Sequence, residues 1–464
     1  MVERSEDATR AAFISEELIS NAGHSRRFLV WGYAKDRPDI LRSIVGAFQA
    51  GAKTPTLPDQ LRFSIDGSLS AAIEGLFSAM FVVRAYTDQK AADRLVALMS
   101  KGHLETHLRG IVSEHLSSRS VGVCAAGPGE NLLTGLRFAE YRFGGPSDAA
   151  FDEAAGTFAT FLGSPHRQIP IAYLDFPDRW KGGDDTSWLR MVIGLPQWGD
   201  DETEEREREI EYQAIMLADK LRLTVWRSNP PGTQPGSLSE RFHALSTAAL
   251  PHPDPPGADT GSITRLIPVF VEGHAQPGLV ARILRCAQPG DLRGGTMAVL
   301  SSHTVSTWLV QDSKVNNFIQ QLKKEGLQGH YAEPDQEQTR TLTEGRQSFW
   351  LSWRCKDRPG VLLTVLNTLM KELGPDINVE REVSRVVRGD GPTCAGRMRL
   401  SVPEGAKLDF AHLEAAVSSK LEFALNDCPG VAQGWIDNPV RAGELEPDEE
   451  PWATLAFTAG TFSS

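Results

Sequence analysis

Apolar and polar positions follow the same pattern at two places near the ends of the chain. A short apolar run, Phe28–Trp31 in the first place and Phe349–Trp353 in the second, leads into a polar turn. Both turns carry the string Lys-Asp-Arg-Pro, at residues 35–38 and 356–359, and apolar residues then return at helical spacing. Because proline suits the first turn of a helix, the pattern predicts a strand, a tight turn and a helix in each place.

In the first copy, Pro38 is expected in the first turn of the helix, with Asp36 accepting free amide hydrogens as an N-cap does. Four further elements follow in the order strand, strand, helix and extended segment. They are predicted at Leu61–Ile65, Phe77–Tyr86, Asp88–Met99 and Val112–Val123. This order is the split βαβ arrangement of a ferredoxin-like fold.

The last third of the chain repeats the order. Its predicted elements after the first strand are a helix over Pro359–Leu373, strands over Ile377–Val387 and Cys394–Val402, and a helix over Phe410–Ala424. The closing strand is either Val431–Trp435 or Trp452–Phe457, and the pattern leaves both open.

A third and weaker copy begins at Leu266. The Pro-Gly-apolar-apolar spacing returns at residues 277–280, but the Asp-Arg pair is missing. Strands at Met297–Leu300 and Val305–Val310 and a helix at Val315–Leu322 are predicted after it.

Residues 130–260 are less regular. Strands predicted at Arg190–Leu195 and Leu221–Trp226 enclose a charged helix at Glu202–Lys220, which fits either a divergent fourth unit or a different insertion. The acidic residues from Asp175 to Asp185 lack the spacing of a calcium loop and are interpreted as a solvated loop.

We therefore predict an α+β chain of tandem ferredoxin-like βαββαβ modules, with antiparallel sheets and helices on one face. The predicted divisions are an N-terminal arm at 1–26, a first module at 27–126, a middle α/β region at 127–260 that ends in a Pro/Gly-rich linker, a divergent module at 261–335, a C-terminal module at 346–440 and an acidic tail at 441–464.

Composition limits the classes of partner. The formal net charge of the 464 residues is -12, which argues against a general attraction to nucleic acid or to an anionic membrane. The first residues are acidic, unlike a signal peptide, and no apolar run approaches the roughly 20 residues that span a bilayer. The five scattered cysteines favour a reduced cytoplasmic setting.

The sequence contains no recognised motif for catalysis, phosphate binding or metal binding. There is no zinc-binding pattern, phosphate loop or nucleophile elbow. His103 and His107 have the spacing to share a helix face, but no third ligand accompanies them. We predict no metal, no cofactor and no catalytic residue.

A resemblance to a known family comes from one stretch. A strand followed by Asp357-Arg358-Pro359-Gly360-Val361-Leu362, then a helix and Asp376-Ile377-Asn378-Val379, resembles the ACT domain family. The form is that of the glycine cleavage system transcriptional repressor and of formyltetrahydrofolate deformylases. The resemblance covers 27–115 and 348–425, and more loosely 266–325.

ACT domains pair side by side and bind amino acids or other small ligands at the shared interface. The turn before the first helix suits a carboxylate, because free amides and the positive helix end meet there. The resemblance implies a site lined by Asp357, Arg358, Gly360, Val361 and Leu362 and faced by Asn378 and Val379. A secondary turn at Asp36, Arg37 and Pro38 departs from the pattern because Asp39 replaces the glycine. This copy either binds a different ligand or is purely structural, and we favour the structural role.

Three functions stay open at this point. The first is a non-catalytic regulatory protein that binds a small ligand, such as an amino acid, at a domain interface. The second is an enzyme with its active site in 130–260 and ACT-like regulators, and the third is a ligand-free interaction scaffold. A homodimer or a partner protein held through sheet edges is compatible with each, and no nucleic acid or membrane partner is expected.

Overall fold

The computed structural model of the protein describes most of the chain. The described residues are 25–51, 61–86, 102–117, 120–125, 136–145, 148–176, 187–196, 198, 200–228, 242–244, 265–288, 291–300, 303–331, 342, 345–356, 360–388, 392–422 and 433–437. They fall into two compact units. Unit 1 lies within 1–128 and 334–439, and unit 2 lies within 129–333.

Four modules with the element order βαββαβ follow one another along the chain. Module 1 contains β1 (Ser25–Lys35), α1 (Ile40–Gly51), β2 (Arg62–Ile73), β3 (Leu76–Tyr86), α2 (His103–Ser113) and β4 (Gly122–Ala125). Module 2 contains β5 (Arg137–Gly145), α3 (Asp148–Leu162), β6 (Ile171–Phe176), β7 (Ser187–Leu195), α4 (Asp200–Leu221) and β8 (Thr224–Ser228), and the short strand β9 (Phe242–Ala244) follows it.

The second half of the chain has the same organisation. Module 3 contains β10 (Leu266–His274), α5 (Leu279–Arg285), β11 (Leu292–Leu300), β12 (His303–Gln311), α6 (Val315–Lys324) and β13 (Gln328–Tyr331). Module 4 contains β14 (Arg346–Lys356), α7 (Val361–Leu373), β15 (Asn378–Arg388), β16 (Pro392–Pro403), α8 (Phe410–Glu422) and β17 (Gln433–Asp437).

The first and last modules share one sheet, which belongs to unit 1. Its strand order is β17-β14-β16-β15-β2-β3-β1-β4, and all its described pairs are antiparallel. Each half of this order is that of a ferredoxin-like module. The two halves meet where β2 pairs with β15, and we call this pairing seam 1.

Modules 2 and 3 share the sheet of unit 2. Its order is β13-β10-β12-β11-β6-β7-β5-β8-β9, and the described pairs are again antiparallel. The two modules meet where β6 pairs with β11, which we call seam 2. Both units are therefore built from two modules placed side by side.

The apolar core of unit 1 lies between its sheet and its helices. Residues from α1, α2, α7 and α8 form one buried cluster with residues from the strands of both modules. Phe48 of α1 packs edge to face against Phe81 of β3, with ring centroids 5.5 Å apart. The α+β class and the antiparallel ferredoxin-like arrangement predicted from the sequence are confirmed.

Two predictions about module 1 need correction. The segment from Val112 to Val123 is not all extended, because Leu104, Leu108 and Val112 form the buried face of α2 and the strand begins only at Gly122. The helix α1 begins at Ile40, so the predicted proline lies in the turn before it and not in its first turn.

Two corrections concern module 2. Asp175 is buried in β6 and does not belong to a solvated loop. The strand predicted from Leu221 begins at Thr224, because α4 continues through Leu221. The closing strand of module 4 is β17, which overlaps the first of the two predicted alternatives.

Several predicted segments lie outside the described residues. These are the N-terminal arm with its helical stretch, the helix at Asp88–Met99, the acidic residues Asp178, Asp184 and Asp185, most of the Pro/Gly-rich linker, and the second alternative at Trp452–Phe457.

Candidate functional site between modules 1 and 4

The turn between β1 and α1 has an unusual backbone conformation. Asp39 directly precedes α1 and has a φ of 67°, in the left-handed region. The residues that directly precede α5 and α7 are Gly278 and Gly360, with φ values of 79° and 88°. The turn therefore requires a left-handed residue, and aspartate is one of the few other residues that adopt this conformation readily.

The side chain of Asp39 turns back onto its own helix. Its Oδ2 accepts hydrogen bonds from Arg42 Nη2 at 3.2 Å and from Ser43 Oγ at 3.3 Å. The negative charge expected to obstruct a carboxylate ligand is therefore engaged by the first turn of α1, and Arg42 partly offsets it.

Asp36 joins the two modules. Its amide donates to the carbonyl of Gly75 at 2.8 Å, and its Oδ2 accepts a hydrogen bond from Asn378 Nδ2 at 3.2 Å. Asn378 is the first residue of β15 in module 4, and both residues are 3% exposed. The predicted N-cap is thus an acceptor for the neighbouring module.

Burial changes the ionisation of Asp36. It raises the pKa of this carboxyl to about 6, although the hydrogen bonds from Asn378 and from the Arg37 backbone lower it. Glu380 raises the same pKa and Arg346 lowers it. Burial also lowers the pKa of Arg346, whose guanidinium donates to the carbonyl of Asp376. Asp36 therefore titrates close to neutral pH.

A shallow cleft beside this hydrogen bond is open to solvent. It lies between the turn and first residues of α1 on one side and the second half of α7 with the start of β15 on the other. Its lining residues are Arg37, Asp39, Ile40, Leu41 and Arg42 of module 1 and Leu366, Leu369, Met370, Ile377, Asn378 and Val379 of module 4.

Charge and apolar surface are separated in the cleft. Arg37 is exposed, and its guanidinium forms no ion pair within the described part of the chain. The positive end of α1 lies beside it. Leu366, Leu369 and Met370 supply an apolar wall from α7. The arrangement suits a small molecule with a carboxylate at one end and an apolar group at the other.

The site residues predicted around the second turn are only partly described. Asp357 and Arg358 lie outside the described residues. Val361 and Leu362 are buried in the core at the start of α7. Gly360 lies against α1, where a Cβ built on it would be 2.6 Å from Gln49 Nε2.

Asn378 and Val379 lie at the other end of α7 from Gly360. The helix has 13 residues and is therefore about 20 Å long. The structure brings these two residues together with Arg37 and Asp36 of the first turn, which we expected to be structural. Pro38 lies in that turn, half-buried. Ligand binding by the predicted residues stays a prediction.

Sequence reasoning missed the apolar wall of the cleft. Leu366, Leu369 and Met370 belong to the helical pattern of module 4, but their facing residues are in module 1. The signal that could have identified them is the side-by-side pairing implied by the resemblance, applied between the first and last copies.

The predicted histidine pair has a structural environment. His107 Nε2 lies 3.1 Å from the carbonyl of Gly51, and its ring stacks on Phe63. Burial lowers the pKa of His107. His103 lies at the start of α2. Within the described ranges, no three His, Cys, Asp or Glu residues are grouped so that they could hold a metal ion.

Comparisons with known proteins give little further information. No family model matches the chain, and no curated protein matches it in sequence. Among solved structures, an unknown protein from Galdieria sulphuraria is 13% identical at a TM-score of 0.28, covering 43% of this chain and 96% of its own.

Two other structures are similar at the same level. Aspartate kinase from Synechocystis is 10% identical at a TM-score of 0.26, covering 86% of this chain and 55% of its own. A protein described as a glycine cleavage system transcriptional repressor is 13% identical at a TM-score of 0.26, covering 43% of this chain and 95% of its own. Similarity of this size assigns neither a family nor a function. In the described ranges, no helix has the length and hydrophobicity needed to cross a bilayer.

Proposed function

We propose that the protein is a non-catalytic regulatory protein that binds a small amphipathic carboxylate, such as an amino acid, in the cleft between modules 1 and 4. The observation that carries this proposal is the cleft itself, which has cationic groups at one end and an apolar wall at the other. Its position at a side-by-side pair of modules is the position that the resemblance to ACT domains implies.

Each part of an amino acid has a complementary group in the cleft. Its carboxylate would bind Arg37 and the amides at the start of α1, where the helix end is positive. Its ammonium group would bind the carboxylate of Asp39, which lines the cleft. An aliphatic side chain would pack on Leu366 and Met370 of the other module.

Regulation would follow from linkage between binding and module pairing. A ligand that contacts both modules binds better when they are paired, so it stabilises the paired arrangement of unit 1. A partner protein or a second copy of the chain would detect this change. The edge strands β4 and β17 of unit 1 are the proposed surface for such a partner.

Calorimetric titration and thermal-shift measurements with a panel of amino acids test the proposal. Aliphatic amino acids should raise the melting temperature more than aspartate or lysine. At 100 times the dissociation constant, binding adds about 2.7 kcal/mol to the free energy of unfolding. Arg37→Ala and Leu369→Asp should each abolish the shift.

The matched control is Arg285→Ala, which removes an exposed arginine of α5 in unit 2. It should leave the amino-acid response unchanged. A panel that gives no shift with the wild-type protein would contradict the proposal, and so would a shift that survives Arg37→Ala.

Among the described residues of 130–260, no observation of this kind favours the enzyme alternative. The buried Glu140 of module 2 accepts hydrogen bonds from Arg142 at 2.9 Å and from Arg190 at 3.0 Å. These two arginines hold the pKa of Glu140 low despite its burial. Such a network fits a structural role better than acid–base chemistry.

A further inference from the structure

Four polar side chains lie in the middle of seam 1, on the face of the sheet that the helices cover. They are Ser68 and Ser70 of β2 and Glu382 and Ser384 of β15. Directly opposite residues of antiparallel strands lie on the same face. Ser68 pairs with Phe81, and Glu382 pairs with Met398, and both partners belong to the apolar core under the helices.

Glu382 is fully buried, with 0% exposure. Its Oε1 accepts a hydrogen bond from Ser68 Oγ at 2.7 Å, across the seam, and Ser68 Oγ lies 2.6 Å from Ser384 Oγ. Glu382 Oε2 and Ser70 Oγ have no hydrogen-bond partner among the described residues. The two residues are directly paired in the seam.

No cation of the described chain compensates this carboxylate. Burial is the main cause of its altered ionisation, and the remaining causes are hydrogen bonds from Ser68 and Ser384. Arg381, next to it on β15, belongs to the opposite face by strand alternation. Among the charged residues of the surrounding elements, Asp66 pairs with Arg27 and Arg84, Glu380 with Arg399, Asp39 with Arg42, and Glu372 with Lys371.

An ionised carboxylate without a partner is costly to bury, whereas a protonated one is a hydrogen-bond donor. We infer that Glu382 takes up a proton when modules 1 and 4 pair, so that the stability of the pairing at seam 1 depends on pH. This inference does not depend on the proposed ligand.

The direction of the effect follows from the ionisation of Glu382. Burial raises its pKa from the ordinary 4.5 to about 7. A carboxyl whose pKa is raised in the folded state stabilises the fold fully below its unfolded pKa and loses that contribution as the pH rises through its folded pKa. Seam 1 should therefore weaken between about pH 4.5 and about pH 7 and change little above that.

Hydrogen exchange of the full chain, read by mass spectrometry on peptides of β2 and β15, tests the inference. Wild type and Glu382→Gln are compared at the same pH, so that the intrinsic pH dependence of exchange and the titration of Asp36 cancel in their ratio. Between pH 4.5 and pH 7, the wild-type exchange rate should rise relative to the variant by up to tenfold per pH unit, which is about 1.4 kcal/mol.

The matched control is Glu380→Gln on the same strand, whose carboxylate accepts from Ser348 at 3.0 Å and pairs with Arg399 at 2.8 Å. This variant should keep the rise in exchange that comes from Glu382, although the smaller contribution of Asp36 changes because Glu380 raises its pKa. Ser68→Ala offers a second test, because it removes the hydrogen bond to the ionised form and should extend the weakening to higher pH. A constant ratio of wild type to Glu382→Gln across this range would overturn the inference.

Discussion

Seam 1 and seam 2 have the same construction and different chemistry. Each joins two modules through antiparallel strands that carry a one-residue bulge, at Asp66 and Glu380 in seam 1 and at Ala172 and Arg293 in seam 2. Positions that lie equally far from these bulges are therefore equivalent between the seams.

The equivalent positions show the contrast. The pair Ser68–Ser384 of seam 1 corresponds to Leu174–Met297 of seam 2, and Ser70–Glu382 corresponds to Phe176–Gly295. At these two pairs, seam 1 is polar and seam 2 is apolar, whereas the pair between them in seam 2, Asp175–Thr296, is polar and buried. Apolar burial is insensitive to pH, whereas a buried carboxylate makes pairing depend on it.

The two units also differ in how closely the helix of one module packs against the turn of the other. In unit 1, the second half of α7 leaves a cleft against the turn at Arg37 and Asp39. In unit 2, the end of α3 lies directly on the turn before α5, because a Cβ built on Gly163 would be 2.5 Å from Gly278 Cα. Backbone contact fills the space that the cleft occupies in unit 1.

The difference separates a fixed pair of modules from an adjustable one. In unit 2, the equivalent seam positions are apolar and two glycines are in contact, which favours one arrangement. Unit 1 has a buried carboxylate in its seam and a cleft at its end, so the proposed proton uptake and ligand binding would both change its stability. The proposed regulatory role therefore belongs to unit 1.

The largest effect on stability is expected when a carboxylate like that of seam 1 is placed in seam 2. Met297 is 1% exposed, so Met297→Glu buries an acid without a partner and should lower the stability of unit 2 by about 4 kcal/mol at pH 8. The loss should shrink at pH 5, because protonation removes the charge. Urea-dependent hydrogen exchange in β6 and β11 measures both values. A loss that is independent of pH would count against our account of the seams.

The next test opens the contact in unit 2. Gly163→Ala forces a methyl group against the backbone of Gly278 and should cost about 2–3 kcal/mol. The control is Gly156→Ala on α3, where the new Cβ would meet Leu284 Cβ at 3.9 Å. That change should be neutral or stabilise by up to about 1 kcal/mol, because alanine favours a helix. Thermal denaturation of both variants measures the two changes in stability. Equal changes would show that the contact between Gly163 and Gly278 is unimportant.

Much of the fold could be predicted from the sequence, because each strand and helix leaves a local pattern. The turns at Asp36 and Gly360 are examples, and so are the strands and helix after Met297. Module 2 was harder, although Phe151, Ala155 and Phe158 recur at helical spacing. Their small and apolar neighbours in α3 leave no clear polar face to mark the helix.

The candidate site was predictable only in part. Asp36 and Asn378 are 342 positions apart, and nothing local shows that they form a hydrogen bond. Which module pairs with which is decided by long-range strand pairing, and it determines which residues face each turn. Glu382 gave no signal either, because a single acid in a β-branched strand usually faces solvent.

A smaller test concerns the hydrogen bond across the modules. Asn378→Ala removes a donor to the carboxylate of Asp36 and should cost about 1–2 kcal/mol. This hydrogen bond lowers the pKa of Asp36, which burial raises to about 6. Without the bond, the pKa of Asp36 rises further. The stability of unit 1 therefore continues to decrease as the pH rises above 6.

The cost of Asn378→Ala should therefore be greater at pH 8 than at pH 5, in urea melts that follow unit 1. Asn316→Ala removes an exposed asparagine of α6 and should change stability by less than about 0.5 kcal/mol at both pH values. A cost that is the same at pH 5 and pH 8 would mean that Asp36 does not titrate in this range.

The smallest expected change in stability comes from a test that distinguishes backbone strain from charge at Asp39. At a φ of 67°, a Cβ is unfavourable, so Asp39→Gly should be about 1 kcal/mol more stable than Asp39→Ala, although both lose the hydrogen bonds to Arg42 and Ser43. At Ala47, inside α1, the order should reverse, because Ala47→Gly places a residue in the helix that is about 1 kcal/mol worse than alanine. Thermal denaturation of the wild type and the three variants measures both differences. A preference for alanine at both positions would show that Asp39 is not strained, and its charge would then be the feature that distinguishes this turn from the glycine turns of modules 3 and 4.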